Sequence, residues 1–235
     1  MALISKIESA YVDIESIDAS EAIVDGNTII WNASNFPSLS FLDIGETGKI
    51  EFFVNVSSDL SGDANIQNLN VKNSVTIGET RQDFITKIGS VISLEQKFYT
   101  DNRYFNNSGP YPLETGERTY LTIEWAPKNY YNDIENARIV TALPESITFE
   151  GAYGAGKEIT YDENTSEVVC NIGSLPAGSG VKNKDIVCAF QVSIKPEIAD
   201  EVIILLGAAQ LSGVDQWTNI TLTAKTNLLY AQMSF

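Results

Sequence analysis

Apolar and polar residues alternate along most of this chain. "GKIEFFVNVS" (48–57) places Ile50, Phe52, Val54 and Val56 on one side of an extended segment. The same period of two runs through "TYLTIEW" (119–125), "ARIVTALP" (137–144), "SEVVCNI" (166–172), "DIVCAFQVSI" (185–194), "EVIILLGAAQL" (201–211) and "NITLTAKTNLLYAQMSF" (219–235). Val, Ile, Thr, Tyr and Phe fill these runs, and Gly, Asn, Asp or Pro bound them, as in strands with one face in a core. "TRQDFITKIGSVISLEQKF" comes closest to a helical stripe, but its β-branched content and Gly89 favour two strands flanking a linker. The pattern predicts an all-β protein.

The pattern also recurs. Residues 20–57 and 156–194 each read as a strand, an Asp/Asn turn and a second strand ("NTIIWN" or "SEVVCN"). Each continues with a loop containing Leu, Pro and Gly, a polar turn and a long alternating strand. "NIQNLNVKNSVTI" (65–77) then corresponds to "DQWTNITLTAKTNLL" (215–229). The second half of a domain thus occurs twice, and its first half, around "SGPYPLETGERTYLTIEW" (108–125), once. The expected organisation is a partial β-sandwich over residues 1–90 and a complete one over 91–235. About five strands are expected in the first and about eight or nine in the second.

Charge narrows the function classes. Fifteen Lys and Arg stand against 31 Asp and Glu, with no His, for a formal charge of −16. Such an acidic surface repels phosphates and anionic headgroups, which argues against nucleic acid as a partner and against direct membrane insertion or surface binding. Without His, a His-dependent triad or an imidazole zinc site cannot form. No run of about 18 apolar residues could span a bilayer. "MALISKIESAYVDI" lacks the basic head and apolar block of a signal peptide, and "TNLLYAQMSF" carries no sorting motif. For an extracellular or cell-surface protein, signal and anchor are expected outside this chain.

Candidate chemistry is sparse. In "VVCNI" Cys170 shares a face with Val168 and Ile172, and in "DIVCAFQV" Cys188 shares one with Ile186, Phe190 and Val192. Both thiols are expected to point inward from adjacent antiparallel strands, either as a disulfide suited to an exported protein or as two reduced core thiols. Calcium is the one cofactor with candidate ligands: Asp59, Asp63 and Asn65 in "SSDLSGDANIQN" (57–68), and Asp133 and Glu135 in "NYYNDIEN" (129–136). The same residues serve ordinary turns by bonding their own backbone. Tyr130, Tyr131, Tyr153 and Trp217, with Tyr104 and Phe105 in a polar stretch, could stack a sugar ring or instead fill a sandwich rim. No carboxylate pair among the 31 acids is marked as catalytic, so no catalytic residue is assigned and the protein is read as a non-enzyme.

The loop "KNYYNDIEN" (128–136) is expected to cross from one sheet to the other. Pro127 is expected to end the strand before it, because it has no N–H to donate.

"NNSGPYPLETGERTYLTIEWAPKNYYNDIENARIVTALPESITFEG" (106–151) and "YDENTSEVVCNIGSLPAGSG" (161–180) together resemble the repeat domain of very large bacterial and archaeal cell-surface proteins. Gly109, Pro110, Gly116, Tyr120, Trp125, Asn129, Asn136, Leu143, Pro144, Gly173, Leu175, Pro176 and Gly178 carry the resemblance. It spans roughly 105–230 and the second half of the pattern over about 5–77; Cys170 stands where the family tends to have Trp, while Trp31 keeps it. The resemblance implies immunoglobulin-like sandwiches strung in tandem in stalk, surface-layer or adhesin-like proteins, with neighbouring domains of the same or an identical chain as partners. A carbohydrate- or protein-binding module is the alternative. A filament subunit whose first unit accepts a strand from its neighbour is another.

Overall fold

The computed structural model describes residues 2–41, 43–57, 67–154, 156–198 and 202–234. Among them strands form every long element, and the only helical piece is a 3₁₀ turn at Pro37–Leu39. The chain divides into two compact units, residues 1–88 and 89–235.

The first unit contains β1 (Ala2–Glu8), β2 (Val12–Asp18), β3 (Ile23–Asp25), β4 (Thr28–Asn32), β5 (Phe53–Val56), β6 (Asn70–Ile77) and β7 (Thr80–Lys87). One antiparallel sheet runs in the order β3-β4-β1-β6-β7, and a second, among the described residues, consists of β2 and β5. Leu3 pairs with Trp31 and Ile77, and Ser5 with Ile29 and Val75, so the alternating residues of three strands share one face. That face packs on a small core of Ile7, Val12, Ile29, Trp31 and Leu39, joined by Ile50, Phe52 and Val54. The indole N–H of Trp31 donates to the Ser20 carbonyl at 3.1 Å, so its one polar atom is satisfied inside the core. Among the described residues seven strands are present where about five were expected. The difference lies in "ALISKIESAYVDIESID", where the polar Ser5 takes a buried inner-face position while Ile4 and Ile14 face outward, so the apolar alternation is broken.

The second unit contains β8 (Ile92–Tyr99), β9 (Thr119–Asn129), β10 (Ile134–Ala142), β11 (Ile147–Tyr153), β12 (Glu158–Asp162) and β13 (Glu167–Leu175). It continues with β14 (Cys188–Ile194), β15 (Val202–Leu206), β16 (Gln210–Asp215), β17 (Thr221–Lys225) and β18 (Leu229–Gln232). Its sheets run β12-β13-β10-β16-β17 and β11-β14-β9-β8, with β15 and β18 paired separately. Leu121, Ile123, Trp125, Ile139, Val168, Phe190, Val192 and Leu211 are fully buried between them. Trp125 meets Phe190 edge-on at 4.9 Å, a favoured aromatic geometry. This is a two-sheet sandwich with inward-facing residues alternating along both sheets.

Pro127 does not end its strand. β9 continues to Asn129, and Pro127 pairs with Leu94 of β8. Pairing with β14 stops at Trp125 opposite Cys188, so beyond it only one flank of β9 carries a ladder. A proline is tolerated where one edge is free.

The recurrence of 20–57 in 156–194 reappears as topology, but the matching of 65–77 with 215–229 is corrected. β6 (Asn70–Ile77) holds the place of β16 (Gln210–Asp215), one strand earlier, because the two strands of the β16–β17 hairpin carry the same alternation. β3-β4-β1-β6-β7 has the same connectivity as β12-β13-β10-β16-β17, and β2-β5 matches β11-β14. Among the described residues, the first unit has no counterpart of β8 and β9. The fold is therefore all-β, tandem immunoglobulin-like sandwiches with the first incomplete.

Candidate functional site

Cys170 and Cys188 are joined by a disulfide, with their Cα atoms 6.5 Å apart. The expected placement on adjacent strands is corrected. Cys170 lies on β13, opposite Ile139 and Ile159, and Cys188 on β14, opposite Trp125, so the bond crosses between the two sheets. Alternation gave the inward direction of both thiols. It could not give the sheet assignment, because residues 176–187 form a long crossover loop where a hairpin was assumed. By sequence correspondence Trp31 of the first unit occupies the place of Cys170, and its ring lies 6.2 Å from that of Phe52 on the facing layer. An aromatic contact in one unit thus stands where a covalent bond stands in the other.

The Asn- and Asp-rich loop between β9 and β10 is knitted into the end of the second sandwich. Asn129 is fully buried and its amide donates to the carbonyls of Asn132 and Leu175 at 2.7 and 2.8 Å. The Ser90 hydroxyl donates to Asn129 Oδ1 at 2.6 Å. At the centre sits Asp215, also fully buried. Its Oδ2 accepts from Ser90 N–H and the Asn132 amide at 2.7 and 2.8 Å, and its Oδ1 from the N–H groups of Trp217 and Thr218 at 2.8 and 3.0 Å. Burial opposes the charge, but the bonds from Asn132, Ser90, Thr218 and Trp217 outweigh it and hold the carboxyl below its ordinary value. Asp215 was not singled out from sequence; it ends an alternating run and looks like one loop acid among many.

Of the calcium candidates, Asp59, Asp63 and Asn65 lie outside the described residues. Asp133 accepts the Ala177 N–H at 2.9 Å, which ties the β9–β10 crossing to the loop after β13. Glu135 is half-buried on β10. Among the described residues no group of three or more His, Cys, Asp or Glu side chains is placed to hold a metal ion.

The aromatic candidates do not converge. Tyr130 and Tyr131 lie 6.0 Å apart beside the buried network, and Trp217 is half-buried on the turn that Asp215 organises. Tyr153, at the end of β11, instead stacks on Tyr104 at 4.6 Å and 23°. The two rings line an open cleft of about 600 Å³ with Arg103, Lys184, Asp185 and Val187. The Arg103 guanidinium sits 4.8 Å from the Tyr104 ring centre and donates to its hydroxyl at 2.6 Å. Two cations and one acid thus meet two aromatic rings on a chain that is otherwise strongly acidic. Lys184 and Asp185 come from the crossover loop, some 80 residues from Arg103, so only folding brings them together.

No known protein-family profile and no curated protein matches the chain. Among solved structures it is similar to the full-length major pilin SpaD from Corynebacterium diphtheriae, with 11% identity, 98% of this chain and 58% of that chain covered, and a TM-score of 0.42. It is also similar to BcpA*(D312A), the major pilin subunit of Bacillus cereus, with 7% identity, 100% and 65% coverage and a TM-score of 0.40. The C-terminal domain of the Streptococcus pyogenes antigen I/II-family protein AspA gives 10%, 99% and 84%, and 0.39. The chain spans less than two thirds of the length of the Bacillus cereus pilin structures, 56% and 65%.

Proposed function

We propose that this chain is a non-catalytic structural module of an extracellular or cell-surface protein, in which β-sandwiches follow one another in tandem. The observation that carries the reading is the disulfide fully buried between the two sheets of the second unit. Structural disulfides persist in oxidising compartments and are rare where thiols are kept reduced. The acidic surface and the use of loop Asn and Asp as internal fastenings fit a spacer that resists collapse and aggregation. The test is protease shaving of intact cells that carry the natural protein, followed by non-reducing peptide mapping. Release of peptides from this chain with Cys170 and Cys188 crosslinked supports the reading. A chain that resists shaving and carries two free thiols sinks it.

The cleft of Tyr104 and Tyr153 supports a second reading, a binding module for an acidic sugar. Aromatic faces stack on the apolar face of a pyranose, and Arg103 with Lys184 would receive its carboxylate. Titration calorimetry with a uronic acid oligosaccharide checks it: Tyr153→Ala and Arg103→Ala should each weaken binding at least about tenfold with unchanged unfolding temperature. Absence of heat with the intact protein removes this reading.

A further inference from the structure

Five Asn-x-Ser/Thr triplets occur in the chain, beginning at Asn32, Asn55, Asn106, Asn164 and Asn219. In an exported protein such a triplet accepts an N-linked sugar where it lies at the surface in a loop. The fold separates the five. Asn32 and Asn55 sit within paired strands, opposite Ala2 and Asp13. Asn106 belongs to a segment stitched onto a sheet: its carbonyl accepts the Gln191 amide, and the amide of the next residue, Asn107, donates to Tyr99 and Thr122. At Asn164 the side-chain amide that would take the sugar already donates to Asp162 at 3.2 Å.

Asn219 differs on each count. It lies in the turn between β16 and β17, outside the ladder that starts at Val214 opposite Thr221. The turn is fixed without its side chain. Asp215 Oδ1 accepts the N–H groups of Trp217 and Thr218, and the Asp215 carbonyl accepts the Asn219 N–H at 2.7 Å. The Asp215 N–H closes the turn on the Ile220 carbonyl at 2.9 Å. Asn219 has a φ of 60°, a conformation that Asn tolerates better than most residues. Asn219, Ile220 and Thr221 are all exposed. Among the described residues no hydrogen bond engages the Asn219 side-chain amide.

We propose that Asn219 is a glycosylation site, with Thr221 as the hydroxyl that the transferring enzyme reads and a lipid-linked oligosaccharide diphosphate as the donor. The side-chain nitrogen of Asn219 bonds C1 of the first sugar while the C1–O bond to the diphosphate breaks. The nitrogen gives up one proton and the lipid diphosphate leaves with the bonding electrons, so no oxidant or reductant is consumed. The glycan covers Ile220, an apolar side chain left 58% exposed, and the turn that Asp215 organises. Exposed turns are preferred sites of proteolytic nicking, so a sugar here shields the end of a spacer. The site rests on the extracellular reading above, and its test separates the two.

The test is peptide mass spectrometry, with disulfides kept intact, of the natural protein taken from its own cells. The peptide holding Asn219 should carry the added mass of an oligosaccharide, and those holding Asn32 and Asn55 should carry none. Produced in the same cells, Thr221→Ala should lose that mass and Thr221→Ser should keep it. Asn219 itself is left in place, because few residues accept its φ of 60°. A bare Asn219 beside a crosslinked Cys170 and Cys188 overturns the site and leaves the extracellular reading standing. A bare Asn219 with two free thiols overturns both. Sugar that persists in Thr221→Ala, or that sits on another triplet while Asn219 is bare, also overturns the site.

Discussion

Replacing Asp215 by Ala tests whether the buried network at the end of the second sandwich holds the β9–β10 crossing in place. The substitution removes the acceptor of four donors. Trp217 and Thr218 lie on a half-buried turn, where water can replace the lost bonds. The Ser90 N–H and the Asn132 amide are buried and would be left without that partner, at about 1–3 kcal/mol each. A loss of about 4 kcal/mol follows, a large part of the 5–15 kcal/mol typical of a whole domain. In urea, with a slope of about 2 kcal/mol per molar, the midpoint of the second unit should fall by about 2 M, followed through the buried Trp125. The acid limb gives an independent check. Asp215 titrates lower when folded than when unfolded, so its contribution is complete above the unfolded value and is lost as pH falls through the folded one. The gap between wild type and variant should therefore hold from pH 7 down to about 4 and narrow below it. A midpoint shift under about 0.5 M, or a gap that stays constant to pH 2, would refute the reasoning.

Two further outcomes follow from local geometry. Removing the inter-sheet bond with Cys170→Ala and Cys188→Ala should cost the second unit about 3 kcal/mol, the chain-entropy value for a loop of this length, and should make its melting indifferent to reductant; equal melting of wild type and variant contradicts this. Gly109 and Gly116 both have positive φ, at 96° and 80°, but a Cβ at Gly109 would lie 2.3 Å from the Arg118 carbonyl oxygen while one at Gly116 meets nothing within 4 Å. Gly109→Ala should cost more than about 2 kcal/mol and Gly116→Ala about 1, and the reverse order in thermal unfolding would contradict the crowding argument.

Much of the fold was legible because alternation is a local signal. Val168 and Cys170 or Phe190 and Val192 declare an inward face without any tertiary information. The recurrence of "NTIIWN" and "SEVVCN" announced equivalent strands, and the two sheet orders agree strand for strand. Which sheet a strand joins is decided by its crossover, and nothing local to Cys170 or Cys188 encodes it. Pro127 misled for a related reason: its cost depends on which flank of β9 carries a partner, and that is a property of β14 and β8. The cleft of Arg103, Tyr104, Tyr153 and Lys184 joins three separated segments, so composition could flag single aromatics but not their meeting. Asp215 was hidden because a buried acid and a solvated loop acid read alike until their donors are placed.

The central claim is that one unit is a closed sandwich and that the other, among its described residues, has no counterparts of the closed unit's first two strands, β8 and β9. Residue-resolved hydrogen exchange of the full chain alone tests it most directly. The account predicts that amides of β9, β13 and β14 exchange only with global unfolding of their unit, while those of β5 and β7 exchange at least about a hundredfold faster. Protection of β5 and β7 equal to that of β14 would contradict it, because it would mean that the edge and face of the first unit are already covered.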